Sequence, residues 1–170
     1  KRMNKQGLDV LMKKVADGDN EAFARLYDEV KKGVFAFAYS YLRCAADAED
    51  VTEEVFFAVK RKAYLYRSGT DARAWIFQIA KNLSLDELRR QKRRAEPLEE
   101  AGEPAVPPRL PALDLLTKCL DETEREIVLL HAVWGYKHRE IAQMKGMPLG
   151  TVTWKYNAAL EKLRKEWEES

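Results

Sequence analysis

The chain has 170 residues, room for one domain or two small ones, and 46% of them are hydrophobic, an ordinary share for a globular protein. No apolar run is long enough to span a bilayer and no signal-peptide pattern opens the sequence, so a cytoplasmic protein is expected. Lys and Arg number 30 against 28 Asp and Glu, and a net charge of +2 excludes any argument for nucleic acid from overall charge alone.

Leu8, Leu11, Met12 and Val15 predict a short first helix. A second is predicted with Asn20 as N-cap, running through Phe23, Leu26, Tyr27, Val30, Val34, Phe35, Ala38 and Leu42. A third starts around residues 46–47 and continues through Val51, Val55, Phe56 and Val59. Its first half is acidic, with Asp47, Glu49, Asp50, Glu53 and Glu54, which the helix dipole alone partly explains. Ser68-Gly69-Thr70-Asp71 reads as a turn, and a fourth helix runs from near Asp71 to about Arg94. On it Ile76, Ile79, Ala80 and Leu83 share one face, while Gln78, Lys81, Asn82 and Arg89 fall on the other. That second face can meet a single nucleic-acid strand, cations holding phosphates and an amide reading a base edge. The run Arg89-Arg90-Gln91-Lys92-Arg93-Arg94 is either a phosphate contact or a helix terminus whose cations favour the dipole.

Residues 96–111, EPLEEAGEPAVPPRLP, hold most of the prolines together with acidic residues, and predict a flexible acidic linker between domains at 1–95 and 112–170. Leu113, Leu116, Leu120, Ile127, Leu130 and Val133 supply a second core, and Asp121 is the expected N-cap of a helix beginning at Glu122. From Tyr136 to Leu163 the chain reads helix, turn at Gly146, helix opening at Thr151. Ile141, Ala142 and Met144 form the apolar patch of the first. Val152, Tyr156, Ala159, Leu160 and Leu163 form the expected buried stripe of the second. Thr153, Trp154, Asn157 and Ala158 face the other way, where a helix can enter a major groove. Strand-like alternation is absent. The fold expected is all-α: two small helical domains joined by a Pro-rich linker, the second a helix-turn-helix domain. Cys44 and Cys119 read as reduced thiols, and His131 and His138 as structural or surface residues. No Gly-rich phosphate loop, zinc-spaced ligand set or Ser/His/Asp constellation is found. No catalytic residue, metal, cofactor or small-molecule substrate is therefore expected.

Several blocks resemble one family in its own order. Gly18-Asp19-Asn20-Glu21-Ala22-Phe23 with Leu26-Tyr27 resembles the opening of an extracytoplasmic-function (ECF) sigma factor. Residues 47–56, DAEDVTEEVF, resemble that family's helix for core RNA polymerase. Residues 73–83, RAWIFQIAKNL, with Leu88-Arg89-Arg90, are similar to its −10 recognition helix. Leu120-Asp121-Glu122 with Arg125-Glu126-Ile127, and Glu140-Ile141-Ala142 with Gly150-Thr151-Val152, resemble its −35 domain. The resemblance covers almost the whole chain. It implies a dissociable promoter-specificity subunit, not an enzyme, whose partners are core RNA polymerase (the largest-subunit clamp and the flap), promoter DNA and an anti-sigma factor. The acidic linker would then run near the RNA exit path.

By resemblance Asn82 sits where the family contacts a −10 base flipped from the stack, and the −10 set is Arg67, Gln78, Lys81, Asn82, Arg89, Arg90, Lys92 and Arg93. The loop Tyr64 to Asp71 is a candidate part of the base pocket; alternatively Tyr64 and Tyr66 cover the core. Trp75 is read as core. The polymerase-binding set is Asp47, Asp50, Glu53 and Glu54, with Phe56 or Phe57 as an apolar anchor. The −35 set is Lys137, Arg139, Thr151, Thr153, Trp154, Lys155, Asn157 and Ala158. Trp154 stands where the family usually has a small residue, Ala158 where Arg is common, and Thr153 where a basic residue is frequent. Lys137 replaces a capping Ser, and Lys60 a frequent Trp. Weak isolated DNA binding by the second domain is the expectation. Two other readings stay open: an interaction protein that has lost promoter recognition, and an ordinary helix-turn-helix regulator, which leaves the first domain unexplained.

Overall fold

Asn4 opens the first helix by accepting a hydrogen bond from the Gly7 amide at 2.8 Å. This helix, α1 (Lys5–Ala16), buries the four expected residues Leu8, Leu11, Met12 and Val15. The computed structural model describes residues 1–95 and 110–170, and every regular element among them is helical. None of these helices is long and apolar enough to cross a membrane. The chain divides into two compact units, Lys1–Pro107 and Pro108–Ser170.

In the first unit α2 (Asn20–Leu42) packs against α1, α3 (Ala45–Lys62) and α4 (Ala72–Arg94), with a short 3-10 turn at Ala63–Leu65. The cap of α2 is Asp19, not Asn20: the Asp19 carboxylate accepts from the Ala22 amide at 3.0 Å. A carboxylate gains from the helix dipole as well as from the hydrogen bond. Asn20 becomes the first helical residue, and its side-chain oxygen accepts from the Lys60 ammonium at 3.1 Å. Val51, Val55, Phe56 and Val59 of α3 are buried, as are Ile76 and Ala80 of α4. Asp71 caps α4 through the Ala74 amide, as expected. The chain before α1 is pinned by the buried Arg73, which donates to the Met3 carbonyl at 2.6 Å and to Glu29 at 3.1 Å. Removing one partner of such a buried pair typically costs about 3–5 kcal/mol.

The linker expected over residues 96–111 lies outside the described residues except for Leu110 and Pro111. Pro111 belongs to a helix, the first residue of α5 (Pro111–Cys119), where a missing amide donor breaks no helical bond. It is followed by α6 (Glu122–Ala132), α7 (His138–Lys145) and α8 (Leu149–Glu169). Asp121 caps α6 as expected, and Glu124 completes the reciprocal bond to the Asp121 amide. Two ion pairs then join α6 to its neighbours: Glu124 with Lys162 of α8 at 2.6 Å, and Glu126 with Lys145 of α7 at 2.8 Å. Both glutamates are buried.

The turn between α7 and α8 has Gly146 at φ +63°, the left-handed corner anticipated for it. The apolar faces are narrower than the periodicity suggests. Val152 and Ala159 are fully buried, Tyr156 and Leu163 half-buried, and Leu160 is 42% exposed. Met144 on α7 is 37% exposed. Leu160 lies one position beyond the Val152–Ala159 line, about 100° round the helix from it.

Candidate nucleic-acid interface

Gln78, Asn82, Arg89 and Arg93 recur at i, i+4, i+11 and i+15 along α4 and share one exposed face. Lys81 is half-buried beside them, and Lys92 is exposed. The Gln78 amide donates to the Asn82 side-chain oxygen at 3.0 Å. That bond fixes the Asn82 amide and assigns its NH2 group to donate elsewhere. Arg89 is held by Asp86 at 3.0 Å on the same helix. Arg90 turns off this face: it pairs with Glu87 at 3.4 Å and approaches Glu54 of α3 at 4.0 Å. The sequence-based grouping of Arg90 with the strand-facing cations is therefore revised, because helical periodicity carries it toward α3. These pairs are exposed and weak, so a phosphate can displace them.

The segment after the 3-10 turn lies beside α1. Tyr64 is 73% exposed and does not cover the core. Tyr66 is half-buried, meets Trp75 edge-on with centroids 5.7 Å apart, and donates to Asp9 at 2.8 Å. Trp75 is only half-buried, so the expectation of a core tryptophan is met in part. Arg67 is exposed. Met12, Lys13, Ala16, Asp17, Ala63, Tyr64 and Tyr66 line a concavity of about 240 Å³ between α1 and the turn.

On α3 the acidic face is real but unequal. Asp50, Glu53 and Glu54 are exposed, whereas Asp47 accepts from the Gln91 amide of α4 at 2.9 Å. Of the two aromatic candidates, Phe56 is 3% exposed and packs against Tyr27 at 4.6 Å and Phe23 at 6.4 Å. It belongs to the core and cannot anchor a partner. Phe57 is 68% exposed, with the Arg61 guanidinium 5.6 Å from its ring centre. Phe56→Ala is expected to cost about 3–5 kcal/mol of stability in urea denaturation. Phe57→Ala should stay within about 0.5 kcal/mol of wild type.

In the second unit Trp154 is 68% exposed on α8, with Asn157 exposed beside it and Thr151 and Ala158 half-buried on the same side. Lys155 is half-buried at the edge; Lys137 and Arg139 are exposed at the start of α7. Lys137 caps α7 without a side-chain bond, as its side chain has only donors, but Glu140 accepts from the Lys137 amide at 2.9 Å. Thr153 is half-buried at the other edge, its hydroxyl 3.1 Å from His138 Nδ1 of α7.

His131, His138 and Tyr156 form a ring cluster with centroids 4.6–4.8 Å apart. His131 Nδ1 lies 2.7 Å from the Tyr136 carbonyl. His138 Nε2 is buried without a partner, and burial, then the neighbouring His131, holds the His138 pKa below its usual 6.5. A depressed histidine favours the neutral form, so the unfolded chain binds more protons below pH 6.5. Stability contributed by His138 is complete above that pH and lost as the pH falls beneath it. Thermal melts at pH 7.5 and 5.5 are expected to show a drop on acidification that shrinks in His138→Gln.

Neither this cluster nor Asp9 was visible in the sequence. The bonds to Asp9 come from 57–60 residues away, and a half-buried aspartate in an amphipathic helix carries no local signal. The spacing of the two histidines points to structural or surface roles and nothing in it places Tyr156 beside them.

Residues 26–94 match the family described as Sigma-70 region 2, and residues 110–163 match Sigma-70, region 4. The RNA polymerase sigma factor CarQ of Myxococcus xanthus is 31% identical over 163 residues, spanning 90% of this chain and 93% of the relative. The ECF RNA polymerase sigma factor RpoE of Cereibacter sphaeroides is 30% identical over 166 residues, 91% of each. Among solved structures, CnrH in complex with the cytosolic domain of CnrY shares the fold with a TM-score of 0.69 at 23% identity, over 96% of this chain and 99% of that one. RpoE in complex with the anti-sigma factor NepR, from Bartonella quintana, gives 0.65 at 23% identity, over 87% and 98%.

Proposed function

Because the chain belongs to the ECF sigma factors of the sigma-70 family, we propose that its two units divide promoter recognition between them. As such a factor it binds core RNA polymerase and directs promoter recognition for transcription initiation. The first unit binds polymerase through Asp50, Glu53, Glu54 and Phe57 of α3, and captures the melted −10 strand along α4. The second unit meets the −35 duplex with the outward side of α8. The observation that carries this reading is the single exposed face of α4, where an amide pair, Gln78 and Asn82, is followed by the cations Arg89 and Arg93. Amides that read a base edge beside cations that hold phosphates are what capture of one strand requires.

The chain is a specificity subunit without chemistry of its own, working in the cytoplasm where polymerase and promoter are. An anti-sigma factor is its expected inhibitor. Trp154 has two uses in this scheme, packing on a thymine methyl or sugar, or on a protein partner, and with Ala158 beside it the −35 contact is weak in isolation. Transcription by core polymerase from a pool of genomic fragments tests the proposal. New start sites that depend on the added chain support it. If polymerase binds the chain and no start site appears, a sigma-derived interaction protein is the better reading.

A further inference from the structure

Asp9 stands on α1 between the buried Leu8 and the exposed Val10, yet its carboxylate is fully engaged across the fold. Tyr66 donates to it at 2.8 Å, the Gly69 amide at 2.8 Å and the Ser68 hydroxyl at 2.9 Å. All three donors belong to the segment that joins the 3-10 turn to α4. Gly69 adopts φ +83°, which turns its amide toward α1 and which a side chain would strain. At the far end of the same segment Asp71 pairs with Lys5, one turn earlier on α1, at 3.5 Å. Thr70 closes the turn by donating to the Arg67 carbonyl at 2.6 Å. So α1 holds residues 66–71 at both ends.

We propose that Asp9 is a positioning residue for −10 strand capture, fixing segment 66–71 in its receiving shape before DNA arrives. The inference rests on the promoter reading above. Three observations favour it over a role in folding. First, α1 is already docked by Leu8, Leu11, Met12 and Val15 and by the bond from Arg73 to Met3, so Asp9 is not needed to seat the helix. Second, residues 67–70 are exposed and bury no side chain that would order them. Leaving such a segment to order on binding costs backbone entropy at every residue, and pre-ordering it raises affinity by removing that cost. Third, the bonds are of the strong, charge-assisted kind. The donors, Gly69 first, then Tyr66 and Ser68, hold the Asp9 pKa below the usual carboxylate value, so it is ionised at neutral pH. Tyr66 is pushed up to about 12 by burial and by its bond to Asp9, so it remains a donor.

The test uses the full chain with core polymerase: wild type, Asp9→Asn, Tyr66→Phe and the double variant. The probe is the single-stranded oligonucleotide that the wild-type holoenzyme enriches from a randomised pool. Asp9→Asn and Tyr66→Phe are each expected to weaken capture by about tenfold or less, and the double variant by little more than Asp9→Asn alone, since they break the same tie. Core-polymerase affinity should stay within about twofold, and hydrogen exchange at the Gly69 amide should quicken in free Asp9→Asn. Equal capture by Asp9→Asn and wild type overturns the inference, as do independent effects of the two substitutions or a parallel loss of polymerase affinity. A wild-type holoenzyme that enriches no strand sinks the promoter reading and this inference with it.

Discussion

Asp50→Arg is expected to lower affinity for core RNA polymerase by about 100-fold without unfolding the chain. Asp50 is exposed on α3 beside Glu53 and Glu54, and among the described residues neither Asp50 nor Glu53 holds a neighbouring helix as Asp47 holds Gln91. Asp50 is thus the clean probe, because a change at Asp47 would also loosen α3 from α4. Substitution at an exposed helix position stays within about 0.5 kcal/mol of wild-type stability. Reversing a charge at a complementary interface removes one attraction and adds one repulsion, and close interfacial pairs couple by about 1.5–7 kcal/mol. Fluorescence anisotropy titrations with core polymerase read the effect directly. Wild-type binding should weaken with added salt and the variant less so. An unchanged affinity would reduce the acidic face to a solvated surface favoured by the helix dipole.

Asn82→Ala should do the converse: polymerase affinity preserved, promoter opening slowed by about 10- to 100-fold, the range of one lost base-reading amide. The bond from Gln78 to the Asn82 oxygen gives the prediction its detail. Asn82→Asp keeps an acceptor for Gln78 but replaces the donating NH2 by a charge that faces phosphates. It is expected to be at least as defective as alanine, whereas Gln78→Ala, which only frees the amide to turn, should be milder. Permanganate reactivity of unpaired thymines on a supercoiled promoter measures opening. If Asn82→Ala and Asp50→Arg fail at the same step, polymerase binding and strand capture do not divide between α3 and α4 as proposed.

Periodicity and capping chemistry, both local, made the helices legible in the sequence. Leu8, Leu11, Met12 and Val15 could be assigned to one face, Asp71 and Asp121 to caps, and Gly146 to a left-handed corner, because each depends on neighbours within a turn or two. The exposed face of α4 that carries Gln78, Asn82 and Arg89 was legible for the same reason. The family resemblance rested on short ordered blocks and needed no contacts at all. Local reasoning failed where two signals competed or where a face had to be shared. Asp19 took the cap from Asn20, Leu160 stayed exposed, and the choice between Phe56 and Phe57 as the outward anchor was left open until Phe56 proved buried. Adjacent residues of like chemistry are separated only by about 100° of helix rotation, and which one is covered depends on where the neighbouring helix lies. The ties that shape the candidate sites were out of reach altogether. Asp9 with Tyr66, Arg73 with Glu29 and His138 with Thr153 join polar side chains that are distant in sequence. A polar group shows no periodicity that names its partner; only the packing of the helices decides which of them meet.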